Sequence, residues 1–313
     1  MSTNFPDGIT SRGVPAGGNI ISLLPTNVLY VDGTNGSDSL AGKGPGAKAK
    51  ATLEGALAAS VASDVIIVAP GTYTLATADL PFTPLANQVW MAGRPALIPN
   101  VILTDDAGGS DTDLVDIEVA NVTFIGFLFQ AAHADVARIM KVADTASVAS
   151  LNIIDCEFDA NSLATIVGIS AIDATYILTG LYCKNTRFRD CNTGISIGAK
   201  GFADSLVEDC FFDMIDAAGT DVGIALADTT AAATGYAFRI KGCDFLGPPD
   251  AGADAVGITI AGTEDTTAMG MMTDNRFAYC GASAITIDKL SKSEILNYYG
   301  DAATGGTLVD PGT

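Results

Sequence analysis

Val207-Glu-Asp-Cys-Phe-Phe212 and Ile240-Lys-Gly-Cys-Asp-Phe245 carry the pattern that decides the architecture of this chain. Each opens on an aliphatic residue, reaches Asp or Gly, then Cys, and ends two positions later on Phe. The same frame recurs upstream as Phe124-Ile-Gly-Phe-Leu-Phe129, Ile153-Ile-Asp-Cys-Glu-Phe158 and Cys183-Lys-Asn-Thr-Arg-Phe188, and downstream as Met272-Thr-Asp-Asn-Arg-Phe277. The closing phenylalanines lie 29, 30, 24, 33 and 32 residues apart. That spacing is too irregular for strict helical repeats. It suits coils whose strands keep register while their loops vary in length.

Each column of the repeat has a physical meaning. The opening position is always apolar. Three residues before each Phe stand Gly126, Asp155, Asn185, Asp209, Gly242 and Asp274. Gly, Asn and Asp best tolerate a left-handed backbone, so this column predicts a sharp bend between two strands. Beyond the bend, the position two before each Phe and the Phe itself fall on one face by period-two alternation. The pairs are Phe127/Phe129, Cys156/Phe158, Thr186/Phe188, Cys210/Phe212, Cys243/Phe245 and Asn275/Phe277. They are expected to point inward and to stack at about 4.8 Å, the strand spacing of a sheet.

A further strand follows a variable loop in each coil: Gly168-Ile-Ser-Ala-Ile172, Gly194-Ile-Ser-Ile197, Gly223-Ile-Ala-Leu226, Gly257-Ile-Thr-Ile260 and Ala284-Ile-Thr-Ile287. Arg138-Ile-Met-Lys-Val142 supplies it in the first coil. Ile295-Leu-Asn-Tyr298 reads as a weak last coil with Asn297 at the bend. At the other end, Leu29-Tyr-Val-Asp-Gly33 reads as strand and turn, and residues 52–59 as a short helix with Leu53, Ala56 and Leu57 on one stripe. Val65–Val68 reads as a buried strand and Pro70-Gly71 as the centre of a type II turn. A solenoid needs its open end covered, and the 52–59 helix is assigned that role. The prediction is an all-β, single-stranded right-handed parallel β-helix over residues 28–300. An extended N-terminal arm (1–27) precedes it and a C-terminal tail (301–313) follows.

Leu29-Tyr-Val-Asp-Gly-Thr-Asn-Gly-Ser-Asp38, the Ala-rich helix after it and Val68-Ala-Pro-Gly-Thr-Tyr73 resemble the opening of pectate-lyase-like β-helix proteins. With the coils, the likeness covers about residues 28 to 300. It implies the fold and says little of function, because that scaffold hosts lyases, hydrolases, epimerases, adhesins and inert virion parts. Asn4-Phe-Pro-Asp-Gly-Ile-Thr-Ser-Arg-Gly-Val-Pro15 resembles the N-terminal segment of tailed-phage structural proteins.

Composition narrows the partners. The 313 residues carry 36 acidic against 16 basic side chains, a net charge of −20, which disfavours nucleic acid and anionic membranes. The one basic cluster, Lys43, Lys48 and Lys50, reads as a solvated turn. No apolar run approaches the roughly 20 residues that span a bilayer. The first 18 residues lack a basic-then-apolar export signal, so folding in a cytoplasm with free thiols is expected. The six cysteines form no CxxC pair, which argues against zinc.

Candidate chemistry is weak at every position. Asp105, Asp106, Asp111, Asp113, Asp116 and Glu118 form the densest acidic stretch, but without calcium-loop spacing, and read as a solvated turn. Glu157, Asp159, Arg187, Arg189 and Asp213 read as an outward ladder of alternating sign, with Glu157 stacked on Arg187. If the chain is an enzyme, Asp159, Arg189 and Asp213 are its candidate catalytic residues. Arg239-Ile-Lys241 matches a tripeptide of polygalacturonase-like hydrolases, but the Gly-His-Gly of that family is missing and the sole histidine, His133, reads as a surface residue. No cofactor or metal is expected. The leading expectation is a non-enzymatic structural protein of a tailed-phage virion, made in the host cytoplasm. It would decorate the capsid as a homotrimer, with Phe5, Ile9 and Val14 entering neighbouring virion proteins. The alternatives are a tailspike-type polysaccharide lyase or hydrolase and, more weakly, a surface adhesin.

Overall fold

A computed structural model describes residues 27–93, 99–106, 113–163, 165–171, 176–198, 202–214, 221–226, 237–248, 255–260, 269–280, 285–287 and 292–300, with the backbone of 9–11 and 14–16. From Val28 onward the strands wind into a parallel β-solenoid. One coil shows the plan: Asn152–Ile154, a bend at Asp155, Glu157–Asp159, a loop, Val167–Ala171, then the short Leu178–Thr179 before the next coil opens at Tyr182. The first strands of successive coils stack from Val28–Val31 to Lys292–Gly300, and the strands after the bend from Gly71–Leu75 onward. These first and second sheets run into each other around the bend. A third sheet of seven parallel strands stacks Asp113–Ile117 through Ile285–Ile287.

The bend column behaves as its residue types require. Gly126, Asp155, Asn185, Asp209, Gly242 and Asp274 have φ of +76°, +54°, +47°, +54°, +66° and +58°. The polar members also bond along the column, Asn185 Nδ2 donating to Asp155 Oδ1 at 2.7 Å. A side chain at Gly242 would lie 2.6 Å from Asp209 Oδ1, so glycine there makes room for the aspartate below it.

The Phe column is the spine of the core. Phe129, Phe158, Phe188, Phe212, Phe245 and Phe277 pair in register, and from Phe129 to Phe277 their ring centroids are 5.1, 5.0, 4.8, 4.7 and 4.8 Å apart. The companion column is equally buried, its polar members satisfied: Thr186 donates to the Lys184 carbonyl, and Asn275 bridges the Cys243 N–H and the Ile240 carbonyl. Opposite the rings stand Gly168, Gly194 and Gly223 of the third sheet. A Cβ on Gly194 would come within 2.7 Å of Phe212 Cδ1, and one on Gly223 within 2.5 Å of Phe245 Cδ1. Glycine in that column lets the third sheet close on the aromatic stack.

The N-terminal end is closed by the opening motif. Helix α1 (Leu53–Ala59) buries Leu53 and Ala56 in the core beside Leu29 and Val31. Asp38 holds its start, accepting from the Ala51 and Thr52 N–H groups, while Thr52 caps Gly55 N–H. The Tyr73 hydroxyl donates to the Ala69 carbonyl and accepts from Gly33 N–H, tying the second coil to the first turn. Val31 pairs with Lys50, so the 33–51 loop also covers the edge of the first strand.

Five expectations are corrected. Lys50 is buried and donates to the Asp38 carbonyl, so only Lys43 and Lys48 are solvated. Val65–Val68 alternates, with Ile66 and Val68 inside and Val65 and Ile67 outside. Gly71 is no type II turn residue: its φ of +156° is positive but far from the roughly +80° of that turn, and it already pairs with Val101. Asn297 aligns with Asn275 rather than with the bend residue Asp274, because the ladder slips between Thr273 and Asn275 and Tyr299 meets Phe277. The arm is not extended throughout: Ile9–Ser11 and Val14–Ala16 form an antiparallel hairpin, Ile9 opposite Ala16 and Ser11 opposite Val14.

Candidate functional site

The charged ladder lies on the outer face of the second sheet, where two columns flank the inward phenylalanines. One column runs Thr104, Gln130, Asp159, Arg189, Asp213; the other runs Leu128, Glu157, Arg187, Phe211. The structure brings Asp159, Arg189 and Asp213 onto consecutive rungs, as the repeat demands. It differs from the sequence expectation in depth and in pairing. Asp159 is 1% exposed, and Glu157 and Asp213 are buried as well. Long arginine side chains lie over the short acids and remove them from water.

The pairing runs diagonally. Arg189 bonds Asp159 on its own column and reaches across to Glu157, with Nε to Oε1 at 3.3 Å. Arg187 is opposite Glu157 in register but pairs with Asp213, Nη2 to Oδ2 at 2.5 Å, and stacks over the Phe211 ring at 5.4 Å. Asp159 is fully engaged: Oδ1 accepts from Asn161 N–H at 2.8 Å and Oδ2 from Gln130 at 2.9 Å, besides Arg189. Burial raises the Glu157 carboxyl above its ordinary range, against the pull of Arg189 and Arg187. Burial alone would lower Arg189, but Asp159 and Glu157 more than offset it and hold the guanidinium above its ordinary value. A group so held keeps its proton and is a poor general base.

The acidic stretch of 105–118 is not one turn. Asp105 is buried, accepts from Ala132 N–H at 2.7 Å and pairs with His133 Nδ1 at 2.8 Å. His133 is therefore a partnered side chain at the rim of the second sheet, a contact between distant residues that no local motif announces. Asp106 accepts from Thr77 N–H, and Glu118 accepts from the N–H groups of Asp144, Thr145 and Ala146. Asp113 is buried against Arg138 and Lys141, and Lys141 also reaches Asp116 at 3.1 Å and Asp144 at 3.3 Å. Burial lifts the Asp116 carboxyl to about 6, with Lys141 pulling down and Glu118 pushing up. Asp111 lies outside the described residues. Among the described residues no three His, Cys, Asp or Glu side chains are placed to hold a metal ion.

The thiols are core atoms. Cys156, Cys183, Cys191, Cys210 and Cys243 are buried, and burial pushes Cys156 up to about 12 and Cys210 and Cys243 well above the ordinary thiol value. The Cys183 and Cys210 sulfurs are 3.7 Å apart, far outside the roughly 2.05 Å of a disulfide. Of the attachment candidates, Ile9 and Val14 sit in the hairpin strands, and Phe5 lies outside the described residues.

No protein-family model matches the chain, and no curated protein matches it. Solved structures do. A rhamnogalacturonan lyase superposes with a TM-score of 0.57 at 14% identity, over 81% of this chain and 68% of that one. The pectate lyase Pel9A matches at 0.43 and 13% identity, over 92% and 83%, and the pectin methylesterase PemA of Erwinia chrysanthemi at 0.45 and 9%, over 92% of each. The first of these likenesses shows a shared fold. The chain is a right-handed parallel β-helix, the fold it shares with that lyase.

Proposed function

We propose that the chain is a non-enzymatic structural component of a tailed-phage virion, decorating the capsid as a homotrimer, made in the host cytoplasm and attached through residues 1–27. The observation that carries this reading is that Asp159 and Arg189, at the centre of the charged ladder, are held by neighbours within the chain, although Arg189 Nε and Asp213 Oδ1 make no hydrogen bond. Both oxygens of Asp159 are engaged, and Arg189 is clamped by Asp159 and Glu157. Rungs of this kind stiffen a solenoid, because opposite charges on adjacent strands are favourable neighbours, about 0.2–1 kcal/mol each. The arm adds support: its hairpin pairs within itself and with no described solenoid strand, and its sequence resembles tailed-phage structural proteins. The shell would be its partner.

A second reading has its own observation. Glu157, raised in pKa beside Arg187 and Arg189 on an outer sheet face, could donate a proton to a glycan, as a polysaccharide lyase or hydrolase of tailspike type requires. Immunogold labelling of intact virions separates the two. Label over the head, with no sugar released from host polysaccharide, is the expected result. Label at the tail tip, with depolymerisation lost in Glu157→Gln or Asp159→Asn, would establish the enzyme instead.

A further inference from the structure

The outer face of the first sheet has two columns, and their character changes along the solenoid. In its N-terminal half successive rungs hold Val65 and Ile67, Val89 and Met91, Thr123 and Ile125, and Asn152 and Ile154, with no charge among them. In its C-terminal half the same columns hold Tyr182 and Lys184, Leu206 and Glu208, Arg239 and Lys241, then Met271 and Thr273, so that charges enter on three successive rungs. Val65, Ile67, Val89, Ile125 and Ile154 lie half-buried on the side away from the core and Met91 among them is buried, while the alternate residues Ile66, Trp90, Phe124 and Ile153 fill the core. No described strand or helix packs broadly over this face. A one-sided sheet in water normally carries polar residues there, so the apolar half marks an interface.

We propose that this strip packs against the same strip of further copies of the chain, all solenoids parallel and their N-termini at one end. Charge and area argue for self-association. The chain carries −20 overall, so copies repel over most of their surface, whereas the strip from Val65 to Ile154 has no charged outward residue. The four uncharged rungs present about 250 Å² in projection and the whole face of ten described strands, charged rungs included, about 560 Å², so copies that reach the roughly 800 Å² per partner of a stable interface must pair along the full face. The polarity gradient fixes direction. Antiparallel copies would press Val65 and Ile67 onto Arg239 and Lys241 and strip those cations of water. Parallel copies set apolar rungs on apolar rungs and place Lys184, Glu208 and Lys241, already paired at 3.3 and 3.5 Å within one chain, against their own mixed charges. All arms then emerge together. This holds whether or not the chain belongs to a virion.

Light scattering of the full chain should give 31.9 kDa multiplied by two or more. Ile67→Lys, with an unchanged β-rich circular dichroism spectrum, should fall to 31.9 kDa. Under mild oxidation Ile67→Cys should cross-link to itself, while the unsubstituted chain does not. A wild-type monomer at all concentrations, or an Ile67→Lys chain that stays assembled, would overturn the interface; the first is also the result expected if the arm covers its own strip. Cross-linking only between Ile67→Cys and Lys241→Cys copies would overturn the parallel arrangement.

Discussion

At the scale of single residues the inward columns carry the fold and the outward ones are replaceable. Phe212→Ala removes a ring stacked at 4.8 and 4.7 Å on its neighbours and should cost roughly 3–5 kcal/mol. Arg187→Ala removes a guanidinium whose side chain is 44% exposed, so water can reach Asp213 in its place, and about 1 kcal/mol is expected. Comparable losses in chemical denaturation would reverse the inward and outward assignments. Gly194→Ala should cost about 1–3 kcal/mol, because its Cβ would meet the Phe212 ring and the Gly223 carbonyl, both at 2.7 Å. An unchanged Tm would show that the third sheet does not close on the rings. The Phe, bend and Cys columns were legible because each residue type has one physical reason to recur. The role of Gly194 was not, since a glycine opposite a ring in another sheet leaves no mark on its own segment.

At the scale of elements, the third-sheet cluster around Lys141 is where the fold responds to acid. Asp116 has its pKa raised from 3.8 to about 6, chiefly by burial. The native state therefore binds a proton more tightly than the unfolded chain, and its contribution to stability is fullest below pH 4 and is lost as pH rises to 6. Asp116→Asn should flatten the Tm profile across that window; an unchanged slope would assign the dependence elsewhere. The sequence reading placed Asp116 in a solvated acidic turn. It failed there because Arg138 and Lys141, one coil later, bury those acids, and adjacency across coils depends on loop lengths that periodicity does not supply. The diagonal pairing of Arg187 with Asp213 escaped it for the same reason: register gives rungs, and side-chain reach chooses partners. Helix α1 was read correctly, since Thr52 and the Leu53/Ala56 stripe are local signals.

For the whole molecule, the described solenoid strands start at Val28 and the described strands of the arm join none of its sheets. Removing residues 2–27 should thus leave the fold intact. Attachment should not survive, because Phe5, Ile9 and Val14 are each worth roughly 1.5–3 kcal/mol if fully buried in a partner, before ordering costs are subtracted. The decisive measurement is co-sedimentation of the purified full chain and of residues 28–313 with phage heads that lack it. The full chain should pellet with the heads, and the truncated chain, still β-rich by circular dichroism, should stay in the supernatant. Equal pelleting of both would contradict attachment through the arm and move the attachment site onto the solenoid.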